Sequence, residues 1–180
     1  TAIIYDFDGT LARGNMQEVS FIPSVGMDIG AFWAEAETLT KSADADGILM
    51  YMQLMLKHAR DKGIAINKSM LSDHGKDVAL FEGIRDMSWF ARSNEFGARY
   101  NLEIEHYIIS AGLEEMIDGT PIRSALKHVF ASHYVYDEKG INLDVVKQIK
   151  EVKRGRIKEY AARVAGAVYT EGCRGIWTIP

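Results

Sequence analysis

The chain has a single cysteine, Cys173, among 180 residues. That excludes an internal disulfide and points to a reducing compartment. No apolar run approaches the length of a bilayer span, and the first residues carry no charged-then-apolar leader. The expectation is therefore a cytoplasmic protein that does not engage a membrane. Positive charge is not in excess: 21 Lys and Arg face 25 Asp and Glu, for a net charge of −4 and a pI near 5.7. Such a chain lacks the basic footprint that grips a nucleic-acid backbone, so no nucleic-acid partner is expected. The five histidines, His58, His74, His106, His128 and His133, show no metal-ligand spacing such as H-E-x-x-H. Cys173 has no nearby base partner to make it a nucleophile, and no Gly-rich nucleotide cradle of the P-loop or dinucleotide type is present.

What the chain does have begins at its first residues. Ala2-Ile3-Ile4-Tyr5 is a short apolar, β-prone run, and it ends abruptly in Asp6-Phe7-Asp8-Gly9-Thr10. This pattern predicts a buried parallel strand that delivers two acids to the carboxyl edge of a sheet, where α/β proteins place their chemistry. Gly9 permits the tight turn this requires, and Thr10 can hydrogen-bond back to hold it. A second such place is His106-Tyr107-Ile108-Ile109-Ser110-Ala111-Gly112, followed by Leu113-Glu114-Glu115-Met116-Ile117. Apolar β-formers give way to small residues and then to a helix with acids in its first turn. Ser110 is expected near a helix amino terminus, where free N–H groups suit a phosphate; the competing role is a plain helix cap.

Between these two places the periodicity is helical. Ile29, Phe32, Trp33 and Ala36 form one stripe, and Ile48, Leu49, Met52, Met55, Leu56 and Ala59 another, which Gly63 closes. Met50, Met52 and Met55 read as core packing, the alternative being part of a flexible binding surface. A helix is expected to open on Leu80-Phe81-Glu82-Gly83-Ile84-Arg85 and run toward Tyr100, followed by a strand after Leu102 and a third strand over Phe130-Ala131-Ser132-His133-Tyr134-Val135-Tyr136, closed by a turn at Asp137-Glu138-Lys139-Gly140. Helices alternating with strands imply a parallel sheet.

The run Asp6 to Thr10 resembles the first motif of the haloacid dehalogenase superfamily, Asp-x-Asp-Gly-Thr after a strand, and Ser110 is similar to the Ser or Thr of its second motif. The resemblance is to the phosphoserine-phosphatase-like members. It implies an α/β fold with a three-layer, Rossmann-like parallel-sheet core, residues 1–14 and 82–180, and an inserted helical cap, residues 15–81. It also implies a magnesium-dependent phosphomonoester hydrolase that acts through an aspartyl phosphate on a small phosphorylated molecule. Asp6 is then the nucleophile, Asp8 the general acid and base, and Ser110 the group that holds the phosphoryl. Asp6 and Asp8 would serve as Mg2+ ligands.

Simple chemistry agrees with that division. A carboxylate needs no deprotonation near neutral pH, yet an anion attacking a phosphate needs a cation to cancel repulsion. Paired carboxylates suit a hard ion such as magnesium and push one another's pKa values apart.

The family's basic residue is assigned to Lys153. The stretch Val152-Lys153-Arg154-Gly155-Arg156 resembles the corresponding region, and on a helix through Val145, Ile149 and Val152 this lysine falls nearer the apolar face than Lys147 or Lys150. The fourth motif, Gly-Asp with further acids, has no counterpart. The candidate strand Ala165-Gly166-Ala167-Val168-Tyr169-Thr170 ends in Glu171, which offers one carboxylate from the expected place. The C-terminal part therefore reads as incomplete or diverged. The alternative function is a catalytically silent member of the superfamily that binds a phosphorylated ligand or a protein partner. A receiver-type domain, which accepts phosphate without turnover, is disfavoured by the long insertion.

Overall fold

Ala2–Tyr5 form strand β1, and all four residues are buried. Burial on both faces is what a central parallel strand requires. In this computed structural model, which describes residues 1–137, 142–147 and 176–179, β1 lies parallel to β2 (Glu105–Leu113), with Ala2 opposite Glu105 and Tyr5 opposite Ile108. β2 in turn lies parallel to β3 (His128–Tyr136). The sheet order is β4-β3-β2-β1-β5. Its three inner strands make the α/β core expected from the sequence.

The two outer strands depart from the all-parallel expectation. β4 (Asn142–Lys147) pairs antiparallel with β3, and β5 (Ile176–Ile179) pairs antiparallel with β1. β4 also overturns the helix drawn through Val145. Adjacent β-branched residues, Val145 and Val146, favour extended backbone, and pairing with β3 outweighs the helical spacing. The argument that turned Lys153 inward rested on that helix and falls with it. Lys153, the candidate strand 165–170 and Glu171 lie outside the described residues.

Between β1 and β2 the helical segments form as expected. α1 is the single turn Phe21–Ser24, α2 spans Ile29–Ser42, α3 Gly47–Asp61 and α4 Lys68–Gly75. Three of them start at side-chain caps, where Asp28 accepts from the Ala31 N–H, Asp46 from the Ile48 N–H and Asn67 from the Met70 N–H. Gly63, at φ +70°, follows the end of α3. Phe32, Ala36, Met52, Met55, Leu56 and Ala59 are buried, while Ile29 is exposed. The helix expected from Leu80 toward Tyr100 is two helices, α5 (Glu82–Arg85) and α6 (Ser88–Arg99). Met87 adopts φ +64°, and the Asp86 carboxylate accepts from the Ser88 N–H, a local bond that competes with helix continuation. After β2 come α7 (Glu114–Asp118) and a 3₁₀ turn at Pro121–Ala125. Among the described residues no helix is long and apolar enough to cross a membrane.

A buried polar cluster holds β1 against β2 and α6. Trp89 Nε1 donates to the Tyr5 hydroxyl at 2.8 Å, and that hydroxyl lies 2.7 Å from His106 Nδ1. Indole N–H can only donate and Asn94 Oδ1, beside His106 Nε2, can only accept, so the neutral imidazole takes the tyrosine proton at Nδ1. The imidazole then carries its own proton on Nε2, facing Asn94 Oδ1 at 3.3 Å. Burial pushes the Tyr5 phenol up to about 12 and the His106 imidazole down from its ordinary value. A histidine held neutral when folded takes up its proton more readily when unfolded. Its contribution is therefore present above about pH 6.5 and is lost as pH falls through the lower folded value. The expected result is an NMR midpoint for the His106 ring below that of a free imidazole; a midpoint at or above it removes this source of acid instability.

Candidate active site

At the carboxyl end of β1 the backbone folds into a compact loop. The Phe7 carbonyl accepts from the N–H groups of Thr10, Leu11 and Ala12, and Gly9, at φ +74°, donates to the Ala12 carbonyl at 2.9 Å. The positive φ is why glycine stands there. Phe7 is fully buried and anchors the loop, whereas Asp6 and Asp8 are half-buried. The loop is pinned to the far end of the inserted segment, since Arg13 N–H donates to the Ala79 carbonyl and Phe81 N–H to that of Leu11. Backbone bonds, not side chains, thus set where the two acids stand.

Continuing the β1–β2 register by two residues sets Phe7 alongside Ser110. Ser110 is only 1% exposed. It does not stand at the helix start that the sequence suggested, nor does it cap α7. The strand runs on to Leu113 through a register shift after Ile109, and the Ser110 hydroxyl accepts from the Gly112 N–H at 2.9 Å. A bulge re-aims side chains at a strand end, which is a common device beside active sites.

Asp8 and this bulge meet. A Cβ on Gly112 would stand 3.0 Å from Asp8 Oδ2 and 2.1 Å from the Met16 methyl carbon. Glycine is favoured here by the close approach of two side chains, not by its own φ. Asp8 Oδ1 accepts from the Met16 N–H at 2.9 Å. From the inserted segment, the Tyr51 hydroxyl donates to the Ala111 carbonyl at 2.8 Å. Burial and the nearby Asp8 carboxylate push the Tyr51 phenol far above its ordinary value, so it remains a donor. Replacing Gly112 by Ala should push the Met16 side chain aside and cost about 1–3 kcal/mol of stability, as overpacking does. Urea denaturation would check this, and an unchanged midpoint would show that Met16 gives way freely.

The sequence reasoning missed Met16, Tyr51 and the buried carboxyl of Glu115. Glu115 accepts from the Tyr134 N–H at 3.0 Å and the Tyr136 hydroxyl at 2.6 Å, and burial raises its pKa. It ties α7 to β3. A cavity of about 140 Å³ beside it carries three carboxylates, Glu114, Glu115 and Asp118, against Lys68 and His133. Three carboxylates against one lysine and one histidine make this cavity a poor fit for a phosphoester.

Asp6 and Asp8 place two hard oxygen donors on one short loop. This donor set fits magnesium, which takes one or two carboxylates and fills its remaining positions with water. Among the described residues no group of three or more His, Cys, Asp and Glu side chains is arranged to hold a metal.

No protein-family model matches the chain. An uncharacterised protein of Borreliella burgdorferi is 28% identical over 144 residues, which cover 74% of this chain and 50% of that protein. The chain thus spans half the length of this curated relative. NADP-specific glutamate dehydrogenase of Helicobacter pylori is 46% identical over 52 residues, but these make up 26% of this chain and 12% of that enzyme. The fold matches that of a HAD-family hydrolase of Salmonella enterica serovar Typhi at TM-score 0.60 and 15% identity, covering 97% of this chain and 54% of that one. It also matches a phosphoserine phosphatase solved with substrate, at TM-score 0.58 and 17% identity over 93% of this chain and 72% of that one. A phosphoserine phosphohydrolase-like protein of Francisella tularensis matches at TM-score 0.57 and 20% identity, covering 92% and 74% of the two chains. The chain therefore shares the α/β fold of these solved structures.

Proposed function

We propose that this chain is a phosphomonoester hydrolase of the haloacid dehalogenase type, acting on a small phosphorylated molecule in the cytoplasm. The observation that carries the reading is the meeting of two strand ends: the Asp6–Asp8 loop after β1 packs, through Asp8, against the Ser110–Gly112 bulge of β2. The fold shared with a substrate-bound phosphoserine phosphatase and with a phospho-aspartyl analogue of such an enzyme supports it. In the reaction, a carboxylate oxygen of Asp6 bonds to phosphorus as the bond to the leaving oxygen breaks, and Asp8 gives that oxygen a proton. Asp8 then takes a proton from water, whose oxygen displaces Asp6 and releases phosphate. The Ser110 hydroxyl holds the phosphoryl oxygens. Asp6 and Asp8 would hold magnesium, which when bound neutralises like-charge repulsion.

The inserted segment, residues 15–81, serves as the cap that excludes water and selects the leaving group. The Tyr51 bond to Ala111 is its direct connection to the reacting edge. The test is release of phosphate from p-nitrophenyl phosphate with magnesium present and after its removal by EDTA. Magnesium-dependent turnover is expected. Binding of a phosphorylated ligand without turnover would favour the catalytically silent alternative.

A further inference from the structure

Met16 sits outside both motifs, yet it touches both. Its N–H donates to Asp8 Oδ1 at 2.9 Å, its thioether sulfur accepts from the Leu113 N–H at 3.2 Å, and its methyl group covers Gly112. The side chain is 1% exposed. Leu113 is the last residue of β2, at the end of the register shift that carries Ser110. A bulge leaves one strand residue without its ladder partner, and a buried N–H that finds no acceptor is costly. Sulfur is a weak acceptor, and methionine's flexible chain fits it to an irregular gap.

We infer that Met16 is a positioning residue that couples Asp8 to the Ser110 bulge, with its sulfur acting as the acceptor that fixes the end of β2. The inference rests on the phosphatase reading for its catalytic consequence alone. It also moves a boundary, because Met16 serves the core although the sequence places it in the cap, residues 15–81.

Packing and hydrogen bonding are separated by two substitutions. Met16→Leu keeps the apolar volume and removes the acceptor, whereas Met16→Gln keeps an acceptor at a similar reach and loses apolar character. Amide hydrogen exchange of Leu113 should be about tenfold faster in Met16→Leu and within about twofold of wild type in Met16→Gln, in proportion to one lost hydrogen bond. With p-nitrophenyl phosphate and magnesium, kcat should fall about fivefold in Met16→Leu with KM little changed, and Met16→Gln should recover it. The opposite order, with Leu protecting and Gln not, or equal protection in all three proteins, would overturn the inference. If wild type shows no turnover while the exchange order holds, the phosphatase reading fails and the coupling stands.

Discussion

Replacing Asp6 by Asn is expected to abolish magnesium-dependent phosphate release, by about 10³-fold or more, while leaving the fold intact. The amide keeps the size of the carboxylate but cannot attack phosphorus, and loss of a covalent nucleophile removes the whole two-step route. Asp6 is half-buried, and the loop around it is held by backbone bonds from Thr10, Leu11 and Ala12 to Phe7, none of which uses its carboxylate. The melting temperature should therefore stay close to that of wild type. Steady-state kinetics and thermal melts, measured on the same preparation, check both parts. Residual activity within about tenfold of wild type would show that another group attacks.

Replacing Gly119 by Ala is expected to have the largest effect on stability, because the obstacle there is backbone. A Cβ on Gly119 would stand 1.8 Å from the Ser72 carbonyl oxygen, and one on Gly75 would stand 2.0 Å from the Met116 carbonyl oxygen. α4 and α7 thus touch main chain to main chain at a pair of glycines. A flexible side chain can swing away from an added methyl, but a helix backbone moves only as a whole. Moving it would open the buried contacts of Leu71, Met116 and Ile117. Overpacking of this kind costs about 1–3 kcal/mol, and Gly119→Ala belongs at the upper end. Urea denaturation should show a lower midpoint, and an unchanged midpoint would mean that α4 shifts freely on α7. Both glycines sit where the inserted α4 meets α7, the helix that follows the strand carrying Ser110.

Much of the candidate site was legible because its signals are local. An apolar run ending in Asp-Phe-Asp-Gly-Thr needs only strand propensity, burial and the φ +74° of Gly9 to present two acids at a sheet edge. The stripes of α2 and α3 are local in the same sense, and their buried residues follow the helical period. The structure revises the setting expected for Ser110. The small residues after Ile109 do mark a change of backbone, but that change is a bulge within β2 and not the start of a helix, because β2 pairs with β3 again at Leu113, whose N–H meets a sulfur 97 positions earlier. No reading of nearby residues contains that contact.

The same division separates the rest of the molecule. Sequence alone determined the strand that opens the chain, the paired acids, the helical character of the segment after them and the absence of a basic footprint, since each depends on composition or on spacing within a few residues. Tertiary structure decided the antiparallel outer strands, the break at Met87, the glycine contact between α4 and α7, and the roles of Met16, Tyr51 and Glu115. Each of these depends on which backbone groups distant segments bring together, and a buried N–H or carboxyl takes the partner that space supplies.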